Sequence, residues 1–145
     1  MLAIPDNLVR LDEKRNTLLD QMVASGKALY FLDVTLPEVK DEFKIGYSSQ
    51  QLDWSRNNEG NIWAFLIEKQ LLFSSDPQGV SKMMTDAPFT SGLAAGSPGR
   101  LGEFIGWQIV REYMRESDGI TLKQLMEDTD AQQILKVSKY KPGKK

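Results

Sequence analysis

Three carboxylates interrupt helix faces that are otherwise apolar, and they are the residues of this chain best placed to do chemistry. At 100° per residue, Asp33 falls beside Met22, Gly26 and Leu29. Glu59 falls between Leu66 and Leu52, flanked by Ile62 and Trp63, and Glu103 falls between Val110 and Met114. A carboxylate on an apolar face costs several kcal/mol unless an Arg, a Lys, a cation or backbone donors meet it. Two chemistries follow from such a set: a cluster that binds an oxygen-preferring cation, or a raised-pKa acid beside an ionised base, as in glycoside hydrolysis. The second requires two of the three to face one solvent-connected cavity, about 5 to 9.5 Å apart. The structural alternative is ion pairing, with Glu59 and Arg100 expected as partners because a guanidinium offers the bidentate contact that best offsets carboxylate desolvation.

The chain has no His and no Cys. This removes disulfides, thiolate nucleophiles, Cys/His zinc sites and imidazole acid/base chemistry together. No spacing matches an EF-hand or another metal motif, so neither a metal nor a cofactor is expected, and catalytic residues are assigned to none.

Gly99, Gly102 and Gly106 place small residues on one strip of the helix expected after Ser97, where another backbone can approach closely. Arg100, Glu103, Gln108, Arg111 and Glu112 on the same helix forbid a bilayer span, so the strip predicts tight packing within the fold. The run Ser97-Pro98-Gly99-Arg100 reads as a helix cap rather than an anion site. Trp54, Trp63 and Trp107 read as core. The five lysines between Lys136 and Lys145 read as a solvated terminus, with an anionic surface as the alternative.

These residues need helices to position them. Leu18, Met22, Leu29 and Leu32, with Leu19, Val23 and Tyr30 alongside, give a helix over Thr17 to Val34 that Pro37 ends. A loop through Lys44-Ile45-Gly46-Tyr47 leads to a capping box of Ser48 and Gln51, from which one long helix is predicted to about Leu72. Asp76-Pro77 opens a short helix to about Met84, closed by Ala87-Pro88. A Gly/Ser/Ala-rich loop spans Ser91 to Gly96, and Ser97-Pro98 opens a helix to about Arg115. Capping boxes at Thr121/Gln124 and Thr129/Gln132 start two more. Strand signals are nearly absent. The expected fold is all-α and bundle-like, with five to six helices in one domain: a lead-in over 1–16, a helical domain over 17–138 and a basic tail over 139–145.

Composition supports one globular domain. The 145 residues are 41% hydrophobic and 26% charged, with a formal net charge of -2 that supplies no positive field for nucleic acid. No stretch approaches the ~20 apolar residues of a membrane span, and no signal-peptide region follows Met1. Read literally, the chain is soluble and untargeted, or else a domain of a longer exported protein.

The runs Gly26-Lys27-Ala28-Leu29-Tyr30-Phe31-Leu32-Asp33 with Leu36-Pro37, Lys44-Ile45-Gly46-Tyr47, Gln51-Leu52-Asp53-Trp54 and Glu59-Gly60-Asn61-Ile62-Trp63 resemble the C-terminal half of the gliding-motility lipoprotein GldB family of Bacteroidetes. Ser97-Pro98-Gly99-Arg100-Leu101-Gly102, Ile105-Gly106-Trp107-Gln108-Ile109-Val110 and the ending Ser138-Lys139-Tyr140-Lys141-Pro142 resemble the same family. The resemblance implies a cell-envelope protein of the gliding machinery with a protein partner, held to the membrane only through a lipid anchor whose cysteine this chain lacks. It also implies a distant similarity to predicted zinc-dependent proteases that carry a His-Glu-x-x-His helix upstream of the matched segment. This chain departs from them: it has no histidine, and Ser25 precedes Gly26 where the proteases place a further glutamate. The function expected is a non-catalytic structural or interaction module. The alternatives are a metal-independent hydrolase using two of Asp33, Glu59 and Glu103, or the C-terminal half of a metalloprotease-like protein whose zinc motif lies upstream.

Overall fold

The computed structural model describes residues 17–85 and 97–142. The expected lead-in over 1–16, the closure at Ala87-Pro88, the loop from Ser91 to Gly96 and the last lysines lie outside the described residues. The fold is all-α, with no strand among the described residues. Its helices are α1 (Leu18–Thr35), α2 (Asp41–Ile45), α3 (Ser49–Asn57), α4 (Glu59–Glu68), α5 (Pro77–Met84), α6 (Leu101–Glu116), α7 (Leu122–Glu127) and α8 (Ala131–Ser138). Helix α6 is the axis. It packs along α1 over the largest interface and takes α8, α5 and α4 on its other sides. Leu101, Phe104, Ile105, Trp107, Ile109 and Val110 of α6 are all buried, together with Leu18, Leu19, Met22 and Leu29 of α1.

Local chemistry accounts for most helix ends. Ser48 with Gln51 and Thr121 with Gln124 form the expected capping boxes, and Asp76 caps α5 ahead of Pro77. Thr17 forms a further box with Asp20, and the next two amides, of Leu18 and Leu19, donate to the Ser74 and Leu72 carbonyls at 2.9 and 2.8 Å. Helix α1 ends at Thr35, two residues before Pro37, as the proline requires.

Five expectations differ from the structure. The long helix is two helices, because the Asn58 side chain donates to the Trp54 carbonyl at 2.8 Å and its backbone leaves helical geometry at φ -114° and ψ 14°. It also stops at Glu68, short of Leu72. The segment before Gly46 is not all loop: α2 forms there, with Asp41 and Glu42 at its positive end and Gly46 in the left-handed conformation (φ 82°) closing it. Helix α6 starts at Leu101 rather than at Ser97-Pro98, with Arg100 left-handed at φ 56°. Long-range bonds hold that approach: the Gly99 carbonyl accepts from the Tyr47 hydroxyl at 2.6 Å, and the Arg100 amide donates to the Thr85 carbonyl at 2.9 Å. The last helix is capped by Asp130, which accepts from the Gln133 amide, and not by Thr129.

Gly102 and Gly106 leave no room for a side chain. A methyl group at Gly106 would collide with the Met22 carbonyl on α1, and one at Gly102 with Met84 Sδ and the Met83 carbonyl on α5. Gly99 precedes the helix and is not on the strip. Its counterpart is Gly26 on α1, where a methyl would strike the Gly106 carbonyl. Helices α1 and α6 therefore touch backbone to backbone, which side chains on either glycine would prevent.

Candidate functional site

Asp33, near the end of α1, sits in the densest polar cluster among the described residues. Arg111 of α6 grips it bidentately, Nε to Oδ2 at 2.8 Å and Nη2 to Oδ1 at 2.9 Å. Trp107 Nε1 donates to Oδ2 at 3.0 Å and Lys44 Nζ, on α2, to Oδ1 at 3.1 Å. The cluster continues through Asp41, which accepts from Arg111 Nη2 at 3.1 Å and from Arg56 Nη2 at 2.8 Å. The Arg111 guanidinium lies 3.8 Å above the Trp107 ring, a cation–π contact between residues one helical turn apart. Burial pushes the Asp33 carboxyl up, but the Arg111 hydrogen bonds and charge, with Trp107 and Lys44, outweigh it, and its pKa falls below the ordinary aspartate value. Asp33 is thus an ionised, fully engaged carboxylate. Its partners carried little sequence signal, apart from the i, i+4 spacing of Trp107 and Arg111.

Glu103 is 7% exposed and lies 3.6 Å from Arg100 Nη1, one turn before it. Arg100 itself donates to the Ile45 carbonyl at 2.7 Å and stands over the Tyr47 ring. The expected Glu59–Arg100 pair is not formed. Glu59 Oε2 accepts instead from the Tyr140 hydroxyl at 2.6 Å, and the Tyr140 ring meets Trp63 edge-on with centroids 5.0 Å apart. Burial first, then the Glu59 charge, push the Tyr140 hydroxyl far above the ordinary tyrosine value, so it stays a proton donor to Glu59. The reason for the miss is positional. Arg100 turns back toward α2 because its left-handed backbone precedes α6, while the segment after α8 brings Tyr140 over the start of α4.

Trp107 is fully buried, whereas Trp54 and Trp63 are half-buried against the core. A buried charge that no local pattern signals is Lys27 of α1, 2% exposed, whose Nζ donates to the Asp128 carbonyl. Burial lowers its pKa, and the Asp128 charge opposes that only in part.

One cleft of about 310 Å³ opens between α6 and the segment after α8. It is lined by Glu59, Gln108, Arg111, Glu112, Arg115, Lys139, Tyr140, Lys141 and Pro142. Of the three candidate carboxylates it receives Glu59 alone, so the paired acid and base drawn from Asp33, Glu59 and Glu103 are not brought together there. Among the described residues no group of three or more His, Cys, Asp or Glu side chains converges to hold a metal ion.

The model of the gliding motility protein GldB family matches residues 1–142. The chain belongs to the GldB family. No curated protein and no solved structure matches it. The fold of this family member is thus an α1–α6 pair in close contact at Gly26 and Gly106, with Asp33, Glu59 and Glu103 held by Arg111, Tyr140 and Arg100. No helix among the described residues is long and apolar enough to cross a membrane.

Proposed function

We propose that this GldB-family chain is a non-catalytic helical module of a cell-envelope gliding protein, and that it works by presenting its surface to a protein partner. The observation that carries this reading is the fate of the three carboxylates. Asp33 is held by Arg111, Lys44 and Trp107, Glu103 by Arg100, and Glu59 by Tyr140. Asp33 and Glu59 each join two distant parts of the chain, as ties in a scaffold would, and Glu103 is met by Arg100 three residues before it. A partner surface is available at the corner where α1 gives way to α2: Val34, Leu36 and Phe43 are exposed there, Phe43 at 63%.

Gliding of cells carrying single substitutions in the full-length protein tests the proposal. Glu59→Gln keeps an acceptor for the Tyr140 hydroxyl and removes the charge that acid/base catalysis would need. Gliding should persist with Glu59→Gln and weaken with Phe43→Asp, both at parental protein level. Loss of gliding with Glu59→Gln at that level would overturn the non-catalytic reading, and normal gliding with Phe43→Asp would remove the α1–α2 corner as the partner surface.

A further inference from the structure

The cleft beside α6 divides its polar groups into those the protein uses and those it does not. Arg111 is engaged by Asp33 and Asp41 behind the wall, Glu59 takes the Tyr140 proton donor, and Arg115 pairs with Glu112. Lys139, Lys141 and the side-chain amide of Gln108 have no partner among the described residues, although all three line the same space. The lining carries four cations, Arg111, Arg115, Lys139 and Lys141, against the two carboxylates Glu59 and Glu112. With Arg111 matched by Asp33 and Asp41 and Arg115 by Glu112, the two lysines remain against the Glu59 carboxylate, an excess of one positive charge.

Such a cleft attracts an anion, and a volume near the lower end of small-molecule sites limits the ligand to a few non-hydrogen groups. The second carboxylate oxygen of Glu112 and the Gln108 side-chain carbonyl can accept hydrogen bonds, so the ligand should carry N–H or O–H donors beside its anionic group. Lys139 ends α8 as its C-cap in the left-handed conformation at φ 56°, where glycine is the unstrained choice, and its side chain lines the cleft.

We propose that this cleft is a binding site for a small polar ligand bearing a carboxylate or phosphate and an adjacent N–H or O–H donor, with Lys139 and Lys141 holding the anion and Gln108 and Glu112 the donors. The site goes beyond the scaffold role of the three carboxylates and does not depend on it.

Nuclear magnetic resonance titration of the full chain tests the proposal, with inorganic phosphate and glycylglycine as probes at constant ionic strength and sodium chloride as the reference salt. Saturable shifts of the Gln108 side-chain amide and the Tyr140 ring are expected with at least one probe. Saturation by phosphate alone assigns a phosphate ligand, and saturation by glycylglycine alone a carboxylate. Lys141→Gln, at an exposed position, and Lys139→Gly, which relieves the backbone, should together weaken binding at least tenfold with a melting temperature no lower than the parent's. Overturning results are the absence of saturable shifts with both probes, the same shifts with chloride, or an unchanged dissociation constant in the double variant.

Discussion

Asp33 on α1 and Arg111 on α6 form a two-point contact across the main helix interface, at 2.8 and 2.9 Å, with the Asp33 side chain 17% exposed. Because those partners hold the carboxyl below its ordinary pKa, the contribution of this contact to stability is present above the unfolded aspartate value near 3.9 and is lost as pH falls through the folded one. Chemical denaturation of the parent and of Asp33→Asn should therefore give stabilities that differ by about 3 kcal/mol at pH 7 and converge below about pH 4. A gap that stays constant down to pH 2 would mean that Asp33 is not ionised in the fold.

The glycine contact gives a prediction of opposite signs at two glycines. Gly106→Ala must push α6 away from the Met22 carbonyl and should cost about 2 kcal/mol or more by overpacking. Gly79→Ala in α5 meets Leu71 Cδ2 at 3.4 Å, an ordinary contact, and should stabilise by about 0.5 to 1 kcal/mol through helix propensity. Denaturant midpoints with unchanged slopes check both. Equal effects at the two sites would show that α1 and α6 do not meet at Gly106.

What the residues announced and what they concealed follow from range. Local codes were readable: the Ser48/Gln51 and Thr121/Gln124 boxes, the Asp76-Pro77 start and the Pro37 stop each depend on neighbours within four residues. The packed role of Gly102 and Gly106 was readable because small residues at helical spacing have few other uses. Partners of the charges were not. Periodicity marks Asp33 and Glu59 as intruders on apolar faces, yet whether Arg111, Arg100 or Tyr140 reaches them depends on how α6, α2 and the segment after α8 pack. The left-handed Arg100 shows the same limit: Ser97-Pro98 is a sound local start signal, but the Tyr47 hydroxyl on the Gly99 carbonyl and the Thr85 carbonyl on the Arg100 amide delay α6 to Leu101.

Lys27 predicts a stability that depends on alkaline pH. Its pKa is lowered in the fold, so the unfolded chain binds more protons between the folded value and 10.5, and parental stability from this group rises with pH across that window. Lys27→Met has a similar shape and no such linkage. The stability of Lys27→Met relative to the parent should therefore fall between pH 7 and pH 10, as read from paired denaturation curves. A difference independent of pH would place the ammonium in water.

The central claim is that the carboxylates interrupting the apolar faces are internal ties, and the Asp33–Arg111 contact is its sharpest case. The most direct measurement is a double-mutant cycle of Asp33→Asn and Arg111→Met by denaturant unfolding at pH 7. Asp33→Asn leaves Arg111 only Asp41, and Arg111→Met leaves Asp33 only Lys44 and Trp107, whereas the double variant removes both charges of the contact, so a coupling energy of about 1 kcal/mol or more is predicted. A coupling below about 0.5 kcal/mol, with parental slopes throughout, would contradict the account and return Asp33 to the residues free to do chemistry.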